Sequence, residues 1–455
     1  MPNCPLSNIR VLDLSRVFAM PYAGAYLADL GAEVIKVDSC QSQFMDTTRT
    51  LNGPYPNNDP GEKYWERAGT FQTLNRGKYS VTLDLRSEAA LDIVKHLVSV
   101  SDIVLENFTP RVMHRFGLDY SRLKAAKPDL IMVSNTGYGH SGPWKDFGAM
   151  ASALEPTHGT GAFMGYLGSG QDGNVPNKIG NSYTDFLASW TAQMAVMACL
   201  IHRARTGQGM WIDLAMYQVG VSFLGEGLLD YAFNGRTTRR LGNRHSFMSP
   251  HGCYPCQGDD QWVTLAVRDD EEWKALCEVI GRVELYSAAK FHLPLQRLQN
   301  QDELDDIISC WTKSRTSYQV MEILQAVGVP AGPVLNARQL LSDPHWQERG
   351  YFESVDHPVE MDLGRRKYVT RGWRFSDSEV RIRSGAPRLG DSNEFVLQGL
   401  LGMDAGKTAE LERQEIIGTH PIGGSGSAAV PLARQAELGW IVSYDNENSD
   451  TLTHE

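Results

Sequence analysis

IRVLDLSRVFAMPYAGAYLADLGAEVIKVD, residues 9–38, decides the fold class. Residues 9–14 are a short apolar run of the kind a buried strand shows, and 15–21 read as a loop. Small residues then recur in a helical pattern over 22–30 until Gly31 ends it, and 34–37 form a second apolar run. Strand, helix and strand within about thirty residues is the unit from which parallel sheets are built. The unit repeats outward: a strand over 80–85, a helix over 88–98, a strand over 103–106, a helical stretch over 110–124, and a strand over 130–134 closed by turn-rich 136–144. The N-terminal third is therefore expected to be a doubly wound α/β domain.

Beyond it the pattern changes. Residues 40–69 are a polar excursion rich in Asn, Pro and Gly, and 159–181 are rich in Gly and Asn; long irregular stretches of this kind are usually functional or mobile. A helix is predicted over 185–205, with Phe186, Trp190, Met194, Met197 and Ile201 on one face. Gly207 stops it, and His202, Arg203 and Arg205 suit its last turn. A second helical stretch is expected over 211–234, strands over 252–267, and helices over 270–280 and 301–326. That places a smaller second domain at 235–330, with 328–334 leading the chain back to the first. The linker GGSGSAA and the acidic end YDNENSDTLTHE read as a loose tail.

The chain has 455 residues, 42% hydrophobic and 21% charged, which suits a soluble globular protein of about two to four domains. A net charge of -11 argues against nucleic acid as the main partner. No uninterrupted apolar run reaches the ~18 residues of a spanning helix, so no membrane partner is expected. MPNCPLSNIR lacks the layout of a signal peptide, and the cysteines are seven, odd in number and scattered. These features predict a cytoplasmic protein with free thiols.

Local motifs add little. Cys253-Tyr-Pro-Cys256 has CxxC spacing with no second pair near it, which favours two ordinary thiols over a metal or redox site. Gly137-Tyr-Gly139 and Gly159-Thr-Gly161 complete neither a dinucleotide fingerprint nor a P-loop. His140, His245 and His251 stand singly in polar turns. Asp185 falls in or just before the first turn of the predicted helix, where an acid ordinarily serves as a cap or offsets the helix dipole.

A resemblance changes the weight of Asp185. Residues 5–38, 74–85 (LNRGKYSVTLDL), 101–120 (SDIVLENFTPRVMHRFGLDY), 128–144 (PDLIMVSNTGYGHSGPW), 183–218, 242–260 (GNRHSFMSPHGCYPCQGDD) and 328–358 resemble, in order, the blocks of the class III CoA-transferases, the formyl-CoA and crotonobetainyl-CoA (CaiB/BaiF) group. The resemblance implies a Rossmann-like large domain for CoA (1–225, completed by 331–422), a small α+β domain (235–330) and a tail extension (423–455). It also implies an interlocked, ring-like dimer, homomeric or heteromeric. Asp185 matches the family's nucleophile, which passes through an acyl anhydride and an aspartyl-CoA thioester. Phe18, Ala19, Leu83, Arg86, Asn107, Phe108 and Arg115 match positions lining CoA, and the two arginines suit phosphate. CoA thioesters, plausibly succinyl-CoA, and a free carboxylic acid enter as substrates; no tightly bound cofactor and no metal is implied. Main-chain donors in 159–181 are one candidate for holding a developing oxyanion, side chains the other.

This chain departs from the formyl-CoA transferases at Ser39, where they carry a basic residue, and at Phe18, where they carry Gln. Residues 243–252 replace their glycine-run lid, and the 40–69 excursion, with Tyr64 and Trp65, is additional material for an acceptor site. Lys145 is a candidate for a lysine near the thioester. Three rivals stand beside a transferase. An α-methylacyl-CoA racemase-like isomerase would need a histidine where residues 146–150 read DFGAM. A non-catalytic CoA-binding subunit would not need Asp185, and a nicotinamide oxidoreductase would need the missing fingerprint.

Overall fold

The computed structural model describes residues 4–50, 53–166, 176–177, 179–180, 183–237, 240–424, 430–442 and 444. The chain divides into two compact units. The larger takes residues 1–158, 180–224 and 348–455, the smaller 159–179 and 225–347.

The larger unit is built on six parallel strands: β1 (Arg10–Asp13), β2 (Glu33–Asp38), β3 (Tyr79–Thr82), β4 (Ile103–Glu106), β5 (Ile131–Thr136) and β6 (Met210–Ala215), in the order β3-β2-β1-β4-β5-β6. Parallel strands are covered on both faces, so they read as continuous apolar runs, and β4 and β5 are buried at every residue. Register sorts the side chains by face. Val11 lies level with Val34 and Ile103, and Ile103 with Ile131; these four share one core, under the helices Ala19–Asp29 and Tyr183–Thr206. Leu12, Ile35, Val104 and Met132 form the next row and point to the other core. There they meet the helix Glu88–Ser99 together with Val396, Leu397, Leu411 and Ile416 from the C-terminal part.

The helix after β1 begins at Ala19, three residues before the predicted start. Pro21 is tolerated there because the first N–H groups of a helix have no intrahelical partner. Residues 211–234 open with β6 instead of continuing as helix. Gly209 makes the pairing possible, since a Cβ there would stand 2.0 Å from the Leu130 carbonyl oxygen. The 40–69 excursion has a buried polar centre. Arg49 is fully buried, bonded to Asp38 (2.8 Å) and Glu66 (3.0 Å), with its guanidinium 3.7 Å from the centre of the Phe71 ring.

Tyr183–Thr206 packs on the helix Ala19–Asp29 through small side chains, among them Ala188, Ala192 and Val196 against Ala23 and Ala28. The large residues of the predicted apolar face divide. Phe186 and Met197 turn inward, whereas Trp190, Met194 and Ile201 are 50%, 70% and 56% exposed. This helix is also long and apolar enough by composition to cross a membrane, alone among the described residues; in this fold it lies on the sheet.

The smaller unit holds an antiparallel sheet, β7 (His251–Pro255), β8 (Trp262–Ala266) and β9 (Ala331–Val334), in that order. Trp273, Leu276, Ile308, Val320 and Leu324 pack with Val263 and Leu265 as its core. The segment expected to lead the chain back thus supplies β9, because pairing with β8 satisfies its main chain. A hairpin of β10 (Phe352–Asp356) and β11 (Arg365–Val369) follows in the larger unit.

Candidate functional site

In open α/β sheets ligands bind beyond the carboxyl ends of the strands, where strand order reverses. Here that point lies between β1 and β4. The loop after β1 is fixed from below by buried charge. Lys36 Nζ donates to the Ser15 carbonyl and to Asp46, each at 2.9 Å. Lys78 Nζ donates to Asp13 (2.7 Å), to the Pro21 carbonyl (2.7 Å) and to Asn75 (2.9 Å), and burial pushes Lys78 down to about 8. Val17 is held at φ 69°, a conformation a β-branched residue rarely adopts. Strained backbone of this kind clusters at functional sites.

Several predicted site residues meet at this edge. Phe18 precedes the first helix, and Ala19, its first residue, is buried. Asn107 follows β4 and uses its side-chain amide on the main chain of Arg16. Phe108 packs edge-on to Phe116 at 6.3 Å and lies under the Arg16 guanidinium. Its N–H donates to Glu106 at 2.9 Å. Burial pushes the Glu106 carboxyl up to about 7.

Asp185 stands in the first turn of Tyr183–Thr206, partly buried. The next residue ties it to the β1 loop, for the Phe186 ring packs edge-on to Tyr22 at 5.0 Å and to Phe18 at 6.4 Å. Two buried residues brace the same turn. Glu155 accepts the Tyr183 N–H at 3.1 Å, and His158 Nε2 pairs with Thr184 Oγ1 at 3.1 Å. Burial holds His158 below its ordinary value.

The remaining predicted residues offer different things. The Leu83 side chain is wholly in the core and its N–H is bonded to the Asp38 carbonyl. Arg86 is exposed, paired with Asp84 at 2.7 Å and stacked 4.6 Å from the Phe44 ring. Arg115 is exposed on the last turn of Pro110–Phe116, with no ion-pair partner among the described residues. Lys145 lies in the wholly exposed stretch 141–150. His140 is pinned through its N–H to Asp213 at 3.1 Å and packs edge-on to Trp211 at 5.1 Å. Most of the glycine-rich stretch expected to supply oxyanion donors (167–175, 178, 181 and 182) lies outside the described residues. Glu155 and His158 escaped the sequence reading because they reach this helix only through the fold. Glu106 carried a signal, an acid closing an apolar strand.

The sequence pattern of CoA-transferase family III matches residues 6–393. The chain belongs to CoA-transferase family III. The transferase is 33% identical over 422 residues to the succinyl-CoA–D-citramalate CoA-transferase of Chloroflexus aurantiacus, spanning 91% of this chain and 99% of that one. It is 34% identical over 406 residues to the succinate–glutarate CoA-transferase of Agrobacterium fabrum, spanning 88% and 97%. Among solved structures it resembles a CaiB/BaiF family protein from Brucella suis, with a TM-score of 0.77 and 31% identity over 88% of this chain and 100% of that one. The transferase is thus an enzyme that moves CoA between acids.

Proposed function

We propose that the transferase moves CoA from succinyl-CoA to a short dicarboxylic acid, with Asp185 as the nucleophile. The observation that carries this reading is the contact of Phe186 with Phe18 and Tyr22, which holds the Asp185 turn against the loop at the sheet's reversal point. The relatives' names, succinyl-CoA–D-citramalate and succinate–glutarate CoA-transferase, support the donor and the class of acceptor.

The reaction balances without an outside reagent. An Asp185 oxygen attacks the donor thioester carbonyl, and the C–S bond breaks to release CoA thiolate. The thiolate attacks the aspartyl carbonyl of the resulting anhydride, forming an aspartyl-CoA thioester and freeing the donor carboxylate. The acceptor carboxylate attacks that thioester and again expels the thiolate. Finally the thiolate takes the acceptor acyl group and Asp185 is restored. A carboxylate is a weak nucleophile, and the covalent route divides one hard step into easier ones. The helix N-terminus favours the ionised form of Asp185. Exclusion of water protects both intermediates from hydrolysis.

Dimerisation, in the interlocked form the resemblance implies, belongs to this reading. The exposed Trp190, Met194 and Ile201 support it, because so much apolar surface on one helix is rarely left in water.

The test incubates the full chain with succinyl-CoA and a panel of carboxylic acids and follows new thioesters by mass spectrometry. Intact-protein spectra should show a CoA adduct that is absent in Asp185→Ala. Undiminished turnover by Asp185→Ala would sink the mechanism.

A further inference from the structure

The loop after β1 carries one more charged group, Arg16, and its surroundings are unlike those of the fully buried cations in the larger unit. Its main chain is held on both sides: the N–H donates to Asn107 Oδ1 at 2.9 Å and the carbonyl accepts from Asn107 Nδ2 at 2.7 Å. The strained Val17 follows, its N–H 3.4 Å from the Asp46 carboxylate. With the main chain so fixed, the side chain lies over Phe108, the guanidinium carbon 5.6 Å from the ring centre.

Fully buried cations of this unit each face a carboxylate: Lys36 with Asp46 (2.9 Å), Arg49 with Asp38 (2.8 Å), Arg76 with Asp29 (2.9 Å) and Lys78 with Asp13 (2.7 Å). Arg16 is partly buried and has no ion pair among the described residues, and its Nε is shut off from solvent without a hydrogen-bond acceptor. A cation drawn out of water and left without an acid is unfavourable, unless something that binds there neutralises it. The aromatic face beneath holds the guanidinium plane in place, and its N–H fork matches a carboxylate or phosphate in two-point fashion. Arg16 also stands just before the first N–H groups of the helix Ala19–Asp29, which favour negative charge.

We propose that Arg16 is the specificity-determining anchor for an oxyanion of the bound acyl-CoA. That oxyanion is either the CoA diphosphate or the free carboxylate of a dicarboxylic acyl group. The inference rests on the reading of this edge as the acyl-CoA site.

Two variants of the full-length enzyme separate the sources. In Arg16→Gln, affinity for free CoA is measured by titration calorimetry, and kcat/KM is compared for succinyl-CoA and butyryl-CoA, which differ in the distal carboxylate. A loss of CoA affinity of about tenfold or more assigns the diphosphate. Unchanged CoA affinity with a similar collapse of the succinyl preference assigns the carboxylate. Arg16→Lys keeps the charge without the fork, so it should recover part of whichever loss appears and serves if Arg16→Gln folds poorly. Changes within about twofold in both quantities for both variants would overturn the proposal. A wild-type enzyme that binds no CoA would overturn the acyl-CoA reading together with it. One that binds CoA but transfers it to no acid would count against the proposed reaction and leave the calorimetric measurement on Arg16 readable.

Discussion

Asn107 and Arg16 are joined by a two-way amide clamp: the Asn107 side chain accepts from the Arg16 N–H and donates to the Arg16 carbonyl. The clamp spans the point where strand order reverses, so it fixes the width of the crevice between the β1 and β4 loops. Asn107→Ala removes both bonds and should cost about 1–3 kcal/mol of stability. KM for the acyl-CoA should rise several-fold with a smaller fall in kcat. A melt and steady-state kinetics on one preparation test this, and an unchanged KM would refute it.

Gly220 admits the His158 ring. A Cβ there would stand 2.2 Å from His158 Cδ2, so Gly220→Ala must displace the imidazole that pairs with Thr184, next to Asp185. Overpacking of this kind costs about 1–3 kcal/mol. The larger expected effect is on kcat, since small misplacements of a nucleophile cost about a hundredfold. Gly220→Ala with normal kcat would show that His158 does not position the turn.

Glu106 gives a pH dependence of known sign. Burial raises it from an ordinary 4.5 to about 7, so between these values the folded chain holds a proton that the unfolded chain has lost. Its contribution is fully present below pH 4.5 and is lost as pH rises through 7. Glu106→Gln should therefore match the wild type near pH 4 and exceed it near pH 8 by about 3 kcal/mol, at about 1.36 kcal/mol per unit. Denaturant titrations at the two pH values measure the difference, and equal gaps at both would contradict the assignment.

Charge on the outer face of the long helix should break the proposed dimer. Met194→Lys combined with Trp190→Glu adds two ions to a surface that the fold itself leaves open. Sedimentation should show the wild type as a dimer and the variant as a monomer of reduced activity. A monomeric wild type would dispose of the proposed assembly.

The central strands of the parallel sheet were legible because they are buried on both faces and so announce themselves as apolar runs. Asp185 was singled out only through resemblance, since locally it looks like any acid opening a helix. Other parts were hidden for physical reasons. The stripe of Phe186, Trp190, Met194, Met197 and Ile201 has the right period, but periodicity does not say which face turns inward. Here the small residues Ala188, Ala192 and Val196 win the inner face by allowing close helix contact. β6 was misread as helix because MWIDLA is short, and its strand character comes from pairing with β5. Arg49 gave no hint of burial, since its partners Asp38 and Glu66 converge only in three dimensions.

The core face beneath Leu12, Ile35 and Val104 is completed by Val396, Leu397, Leu411 and Ile416, which come from the far end of the chain. During synthesis that face stays uncovered until residues 396–416 have left the ribosome. The smaller unit, most of it a continuous run from Gly225 to Gln347, has all but its 159–179 segment in one stretch that emerges earlier. Domains fold as units when their residues become available. The part that begins first is thus the last to close, and its exposed sheet is where a nascent chain of this enzyme most needs protection from aggregation.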